Sequence, residues 1–156
     1  IMKTNIIALT ALISTLAFAT AAEKMKAPNG GRIIDTVEPH AEFVINADKK
    51  IEIRFLDDEG KVIAPAAQVV TVTMGDRANP TKLAFAKEGD KLLSDKTIPE
   101  GKELPVVVQI KTTPDAKSVS AKFSLNLAKC PTCVYLEYAC TCDHGGDEKG
   151  HEGHKH

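Results

Sequence analysis

The sequence has no tryptophan, and aromatic residues make up only 4% of its 156 positions. Its formal net charge is −1 at pH 7, so no excess of one sign gives the surface a strong electrostatic field. Proteins that hold nucleic acid need a basic surface, and those that bind single strands also need aromatic platforms for the bases. The composition therefore argues against nucleic acid as a partner.

Motifs of several enzyme classes are missing as well. The chain has no Gly-rich phosphate-binding loop and no Gly-x-Ser-x-Gly nucleophile turn, and no serine precedes a histidine and an aspartate in a recognisable arrangement. A length of 156 residues favours a single globular domain. We therefore expect a protein that is not an enzyme. The alternative is an envelope hydrolase or redox enzyme whose active site is assembled from distant strand ends.

The long apolar run lies at the N-terminus and has the plan of a secretory signal peptide. Lys3 is followed by an apolar stretch, residues 6–18, and then by the small residues Ala19, Thr20 and Ala21. This apolar core is shorter than the roughly 20 residues that a spanning helix needs. We expect cleavage after residue 21, which places the mature chain in the periplasm or outside the cell with no membrane span. The alternative is an uncleaved membrane anchor.

After a polar lead-in at residues 22–29, the range 30–128 shows short segments in which apolar and polar side chains alternate. Ile51, Ile53 and Phe55 fall on one face of such a segment, and the charged residues between them fall on the other. About nine segments of this kind are separated by turn residues. The pattern predicts an all-β domain, an antiparallel β-sandwich of the immunoglobulin-like type, with a barrel as the alternative.

All the cysteines of the chain follow residue 129: they are Cys130, Cys133, Cys140 and Cys142. A Cys-x-x-Cys turn aims two thiolates at one point, and the second pair returns after a short excursion. The range 129–144 can therefore close a tetrahedral site of soft ligands, with His144 as an outer ligand. The second pair, Cys-x-Cys, is tighter than in common zinc fingers and suits thiophilic ions such as Cu(I) or Zn(II).

Disulfides are the alternative use of these cysteines, because exported thiols oxidise unless a metal or a reductant holds them. A bond between Cys140 and Cys142 would be strained, since alternate residues of an extended segment point to opposite faces. The remaining pairings cross-link the segment as a small hairpin, either nested or crossed. The chain would then be a secreted structural or interaction module rather than a metal-binding protein.

The tail, residues 145–156, contains no apolar side chain and cannot fold alone. Its composition predicts a disordered tether whose histidines capture divalent ions weakly. These candidate transient ligands are His151, His154 and His156. The alternative is a solubilising tail with incidental histidines.

Two short motifs precede the cysteines: Pro28-Asn29-Gly30-Gly31 and His40-Ala41-Glu42-Phe43. His40 and Glu42 share one face at the start of a strand and could bind a metal or a polar ligand, although a surface histidine beside a proline turn is the simpler interpretation. With the Cys-x-x-Cys motif, these residues give the range 28–144 a resemblance to small exported bacterial proteins of unassigned function. That family is similar to accessory proteins and adaptor domains of heavy-metal efflux systems, so the resemblance implies metal handling with an efflux or metalloprotein partner.

Overall fold

The computed structural model describes residues 24–142. Within this range the chain forms nine strands and one 3₁₀ turn, which confirms the predicted all-β class. The strands are β1 (Arg32–Ile34), β2 (His40–Ile45), β3 (Lys50–Leu56), β4 (Val62–Ile63), β5 (Val69–Met74), β6 (Thr81–Glu88), β7 (Lys91–Thr97), β8 (Glu103–Lys111) and β9 (Val119–Asn126), and the 3₁₀ turn is Glu137–Ala139. The predicted signal peptide lies outside the described residues. In the part that is described, no helix is long and apolar enough to span a bilayer.

The period-two alternation of the sequence produces the core. On β5, Val70, Val72 and Met74 are buried, and the threonines between them are half-buried. Phe55 on β3 is likewise fully buried. Because alternate side chains of a strand point to opposite faces, each strand contributes one apolar row to the interior.

The strands pair antiparallel in the order β1-β2-β3-β7-β6-β5-β8-β9, and β4 adds to β3. Strand β6 joins the two halves of this sheet, because its first part, from Thr81 to Ala84, pairs with β5 and its second part, from Phe85 to Glu88, pairs with β7. The result is a sheet nearly closed into a barrel, the architecture that the sequence pattern left as an alternative. The immunoglobulin-like sandwich is not confirmed, since a strand shared between both halves does not leave two separate sheets.

The seam of the barrel lies between the edge strands β1 and β9, and the 3₁₀ turn packs against both. Tyr138 of this turn is only 3% exposed, and its ring meets the ring of Phe43 edge-on with 6.0 Å between centroids. Phe43 in turn meets Phe123 of β9 at 5.1 Å. The hydrophobic core therefore extends past residue 128, where the sequence pattern placed the end of the β domain, to Ala139.

The two short N-terminal motifs form one structural unit. The Glu42 carboxylate is fully buried and accepts hydrogen bonds from the backbone N–H groups of Asn29 and Gly31, both at 2.9 Å. The side-chain amide of Asn29 donates a third, at 2.8 Å. Residue 31 must be glycine because a Cβ there would lie 2.3 Å from the carbonyl oxygen of Phe43. Glu42 thus holds the lead-in turn against β2.

Candidate metal centre

The four cysteine sulfurs of the described chain lie within 4.8 Å of one another. Two local features bring them together. An antiparallel bridge joins Lys129 to Leu136, and the backbone N–H of Cys130 donates to the carbonyl oxygen of Tyr135 at 3.0 Å, so the loop folds back on itself. Cys140 then follows the 3₁₀ turn directly. The convergence predicted from the cysteine spacing is present in the structure.

The distances between sulfurs fit one thiophilic ion. The Sγ atom of Cys140 lies 3.0 Å from that of Cys130 and 3.4 Å from that of Cys133. Zinc–sulfur bonds of about 2.3 Å in a tetrahedron put neighbouring sulfurs about 3.8 Å apart. That value lies between these short distances and the 4.8 Å that contains all four sulfurs. Shifts of less than about 1 Å would therefore give each sulfur a position around a single tetrahedral ion.

A disulfide bond needs sulfurs about 2.05 Å apart, and no such bond joins the cysteines of the described chain. Cys130 is buried, and the other three cysteines are half-buried. Val134, next to Cys133 in the loop, is 93% exposed. The cluster therefore lies just beneath the surface, where an ion can enter and leave.

Thr132, inside the Cys-x-x-Cys motif, shapes the electrostatics of the cluster, and the sequence interpretation missed it. Its hydroxyl lies 3.2 Å from the Sγ atom of Cys130. Burial raises the pKa of the Cys130 thiol, but hydrogen bonds to Thr132 and Cys140 outweigh burial and lower this pKa to about 6. The hydrogen bond from Cys140 to Cys130, followed by desolvation, raises the pKa of Cys140 to about 12. The thiolate, which is the form that binds metal, is thus favoured at Cys130.

The pKa values of the other two cysteines are also shifted in opposite directions. Hydrogen bonding to Thr132, and then to Cys133 and Cys140, lowers the pKa of Cys142. The backbone hydrogen bond from Tyr135 favours the thiolate of Cys133, but desolvation and the hydrogen bonds with Cys142 and Cys130 outweigh it and raise the pKa of Cys133. Negative charge is therefore distributed unevenly around the cluster, and a cation at its centre would stabilise all four thiolates.

Contacts of the segment between the cysteine pairs fix the cluster to the barrel. The Nη1 group of Arg32 donates to the carbonyl oxygen of Tyr138 at 3.2 Å, and the same guanidinium lies over the ring of Phe123 at 4.8 Å. The backbone N–H of Ile45 donates to the Tyr138 hydroxyl at 3.1 Å. The cysteine cluster is thereby held at the barrel seam by residues from β1, β2 and β9.

The histidines predicted as outer ligands, His144, His151, His154 and His156, lie outside the described residues. The two other candidates have partners within the protein. The Nδ1 atom of His40 lies 3.0 Å from the carbonyl oxygen of Val37. The carboxylate of Glu42 accepts hydrogen bonds from the lead-in turn. The group of possible ligands within residues 24–142 consists of the four cysteines and includes neither of these two.

The sulfur donors of the cluster determine which metal ions it could hold. Four sulfur donors within reach of one ion select thiophilic metals over Mg²⁺ or Ca²⁺, which prefer oxygen. Comparisons of the chain with protein-family models, with curated proteins and with solved structures found no match.

Proposed function

We propose that this protein is a non-enzymatic binder of a soft transition metal ion, copper or zinc, that acts outside the cytoplasm. The observation that supports the proposal is the placement of four cysteine sulfurs within 4.8 Å of one another. Thiolate ligands favour Cu(I) and Zn(II), and their protein-held geometry sets the affinity. The ion is the cargo of the protein, which buffers it or delivers it.

The predicted signal peptide and histidine tail support the same assignment. An exported chain meets metal ions before they reach the cytoplasm, and thiols that hold a metal there resist oxidation. Histidines that follow the cysteines closely in the sequence would raise the local concentration of ions near them. His144, His151, His154 and His156 would serve as transient ligands on the way to the tighter site.

The partner in delivery would be a heavy-metal efflux component or a metalloprotein, as the resemblance of the two N-terminal motifs and the Cys-x-x-Cys motif implies. The shallow position of the cluster supports such a transfer, because three of its cysteines are half-buried. The exposed side chain of Val134 lies beside the cluster and adds apolar area that a partner could cover.

Native mass spectrometry of protein isolated from the periplasm tests the proposal. We expect one Zn(II), or one or more Cu(I), per chain, and thiols that resist alkylation until a chelator removes the ion. Cys133→Ser should lower the affinity, whereas Ser118→Ala, a change in an exposed loop, should not. Protein that carries two disulfides and no metal, and gains none after mild reduction, would refute the metal-binding function.

A second candidate function is a secreted interaction module stabilised by a disulfide clip. The 3.0 Å distance between the Sγ atoms of Cys130 and Cys140 favours it, because oxidation of this pair needs a movement of only about 1 Å. Cys133 and Cys142 would form the other bond, which gives the crossed arrangement. The same mass spectra separate the two functions, since two disulfides make the chain about 4 mass units lighter than its reduced form.

A further inference from the structure

A groove opens beside the cysteine cluster, between the lead-in segment and the end of the described chain. Its two adjoining lobes, of about 310 and 210 Å³, share five lining residues: Lys24, Met25, Ile33, Ala139 and Thr141. The larger lobe lies in the range of small-molecule sites, about 300 to 1,000 Å³. Cys140 is the member of the cluster that lines this lobe. A molecule in the groove therefore reaches one ligand of the proposed metal centre.

Among the described residues that line the groove, positive charges outnumber negative ones. Lys24 and Arg32 line the larger lobe and Lys26 the smaller one, and Asp35 is the carboxylate that faces them. Both lysines are exposed, whereas Arg32 is half-buried against the 3₁₀ turn. Apolar wall residues, Ile33 among them, lower the local dielectric and strengthen the attraction of an anion. The chemistry that complements this groove is an anionic group on a small molecule.

We propose that the groove binds a small anionic thiol, and that metal passes between this thiol and the cluster at Cys140. This inference rests on the proposed metal-binding function. In the exchange, a bond forms between the metal and the incoming sulfur, and the bond between the metal and the Sγ atom of Cys140 breaks. The released Cys140 thiolate takes up a proton in place of the one that the incoming thiol loses, and the oxidation state of the metal does not change.

The experiment uses the full chain loaded with Zn(II) and times the transfer of zinc to a coloured chelator. Glutathione, which carries a net negative charge, is compared with uncharged 2-mercaptoethanol at equal thiolate concentration. We expect glutathione to accelerate the transfer about three- to tenfold more than 2-mercaptoethanol does, in line with the contribution of exposed ion pairs. Equal acceleration by the two thiols would overturn the inference.

A charge-reversed variant makes the test specific to the groove. Lys24→Glu combined with Lys26→Glu should remove the advantage of glutathione, so that the ratio of the glutathione rate to the 2-mercaptoethanol rate falls to about one or below. The matched control is Lys102→Glu combined with Lys117→Glu, since both lysines are exposed outside the strands and line neither lobe. A glutathione rate equal in the variant of Lys24 and Lys26 and in the control would overturn the groove assignment while bound zinc still supported metal binding. A chain that holds no zinc before any thiol is added would refute the proposed function and this inference with it.

Discussion

The backbone N–H of Ile45, at the end of β2, donates a 3.1 Å hydrogen bond to the phenolic oxygen of Tyr138, which is 93 residues further along the chain. This bond connects the barrel to the segment that separates the two cysteine pairs. Arg32 reinforces the connection through the carbonyl oxygen of Tyr138. Cys140 follows two residues later, so the packing of this tyrosine helps to fix the position of Cys140 in the cysteine cluster.

We expect Tyr138→Phe to lower the free energy of unfolding by about 1 to 3 kcal/mol, because the N–H of Ile45 loses its acceptor while the ring packing remains. Tyr138→Ala should cost more, about 3 to 5 kcal/mol, since the ring contact with Phe43 is lost as well. Urea denaturation measures both. Tyr135→Phe, on a half-buried neighbour, is the control, and equal effects of the two Tyr→Phe changes would contradict the role of this hydrogen bond.

Removal of residues 129–156 should destabilise the barrel, because Tyr138 and Ala139 belong to its core. The loss of the tyrosine ring alone corresponds to about 3 kcal/mol or more. Removal of residues 143–156 keeps every core residue of the described chain and should leave the thermal midpoint unchanged. Circular dichroism melts of the two truncations test this difference, and identical midpoints would show that the core ends with β9.

Metal binding should raise the stability of the whole barrel, since the ion would close the segment that packs against β1 and β9. A ligand present at 1,000 times its dissociation constant adds about 4 kcal/mol to the free energy of unfolding. Thermal melts with and without Zn(II) measure the shift. Cys133→Ser should reduce it, whereas His40→Ala should preserve it, because His40 lies outside the cysteine group. A zinc-dependent shift that survives Cys133→Ser would place the ion elsewhere.

The stability of the barrel depends on pH through the carboxyl group of Glu52. Burial raises the pKa of its carboxyl group, but hydrogen bonds from Lys91, then Arg54 and Asn46, outweigh burial and lower the pKa below its ordinary value of 4.5. The Lys91 and Arg54 contacts are 2.7 and 2.8 Å long. Because the pKa is lower in the folded state, the stabilisation is complete above pH 4.5 and is lost as the pH falls through the folded-state pKa.

We therefore expect Glu52→Gln to cost about 1 to 3 kcal/mol at pH 7, because Lys91 loses its carboxylate and Arg54 keeps only the 3.8 Å contact with Asp90. The difference from the parent protein should shrink towards pH 3, as Glu52 itself takes up a proton. Urea titrations at both pH values measure it. Glu100→Gln, on an exposed loop residue, is the control for general charge effects. A difference that stays constant with pH would rule out the ion pairs as its cause.

Most of the strands could be predicted from the sequence, because the alternation around residues such as Val72 and Phe55 depends only on the pleat of the backbone. Strand ends were harder to predict. The sequence pattern begins the last strand at Phe123, but β9 begins at Val119, since Val119 pairs with Ile110 across the sheet. Pairing of this kind depends on a neighbouring strand and leaves no periodic signal in the strand itself.

The candidate site likewise has features that the local sequence predicts and features that it does not. The spacing of the cysteines predicted their convergence, because a Cys-x-x-Cys turn aims two sulfurs at one point and a second pair returns after a short excursion. The contact of Arg32 with Tyr138 joins residues 106 positions apart, and no local pattern indicates it. The contacts of the 3₁₀ turn with both edge strands, and the change of partner along β6, are long-range features of the same kind. These long-range features are the ones that separate a barrel from a sandwich.

The burial of Tyr138 between the cysteine pairs also gives the protein an optical reporter. The chain has two tyrosines and no tryptophan. Both tyrosines, Tyr135 and Tyr138, lie between Cys133 and Cys140. The tyrosine absorbance and emission of the unlabelled protein therefore come from the segment that an ion would clamp. A titration with metal can be followed in a fluorimeter without any dye, and its signal will report the state of the barrel seam.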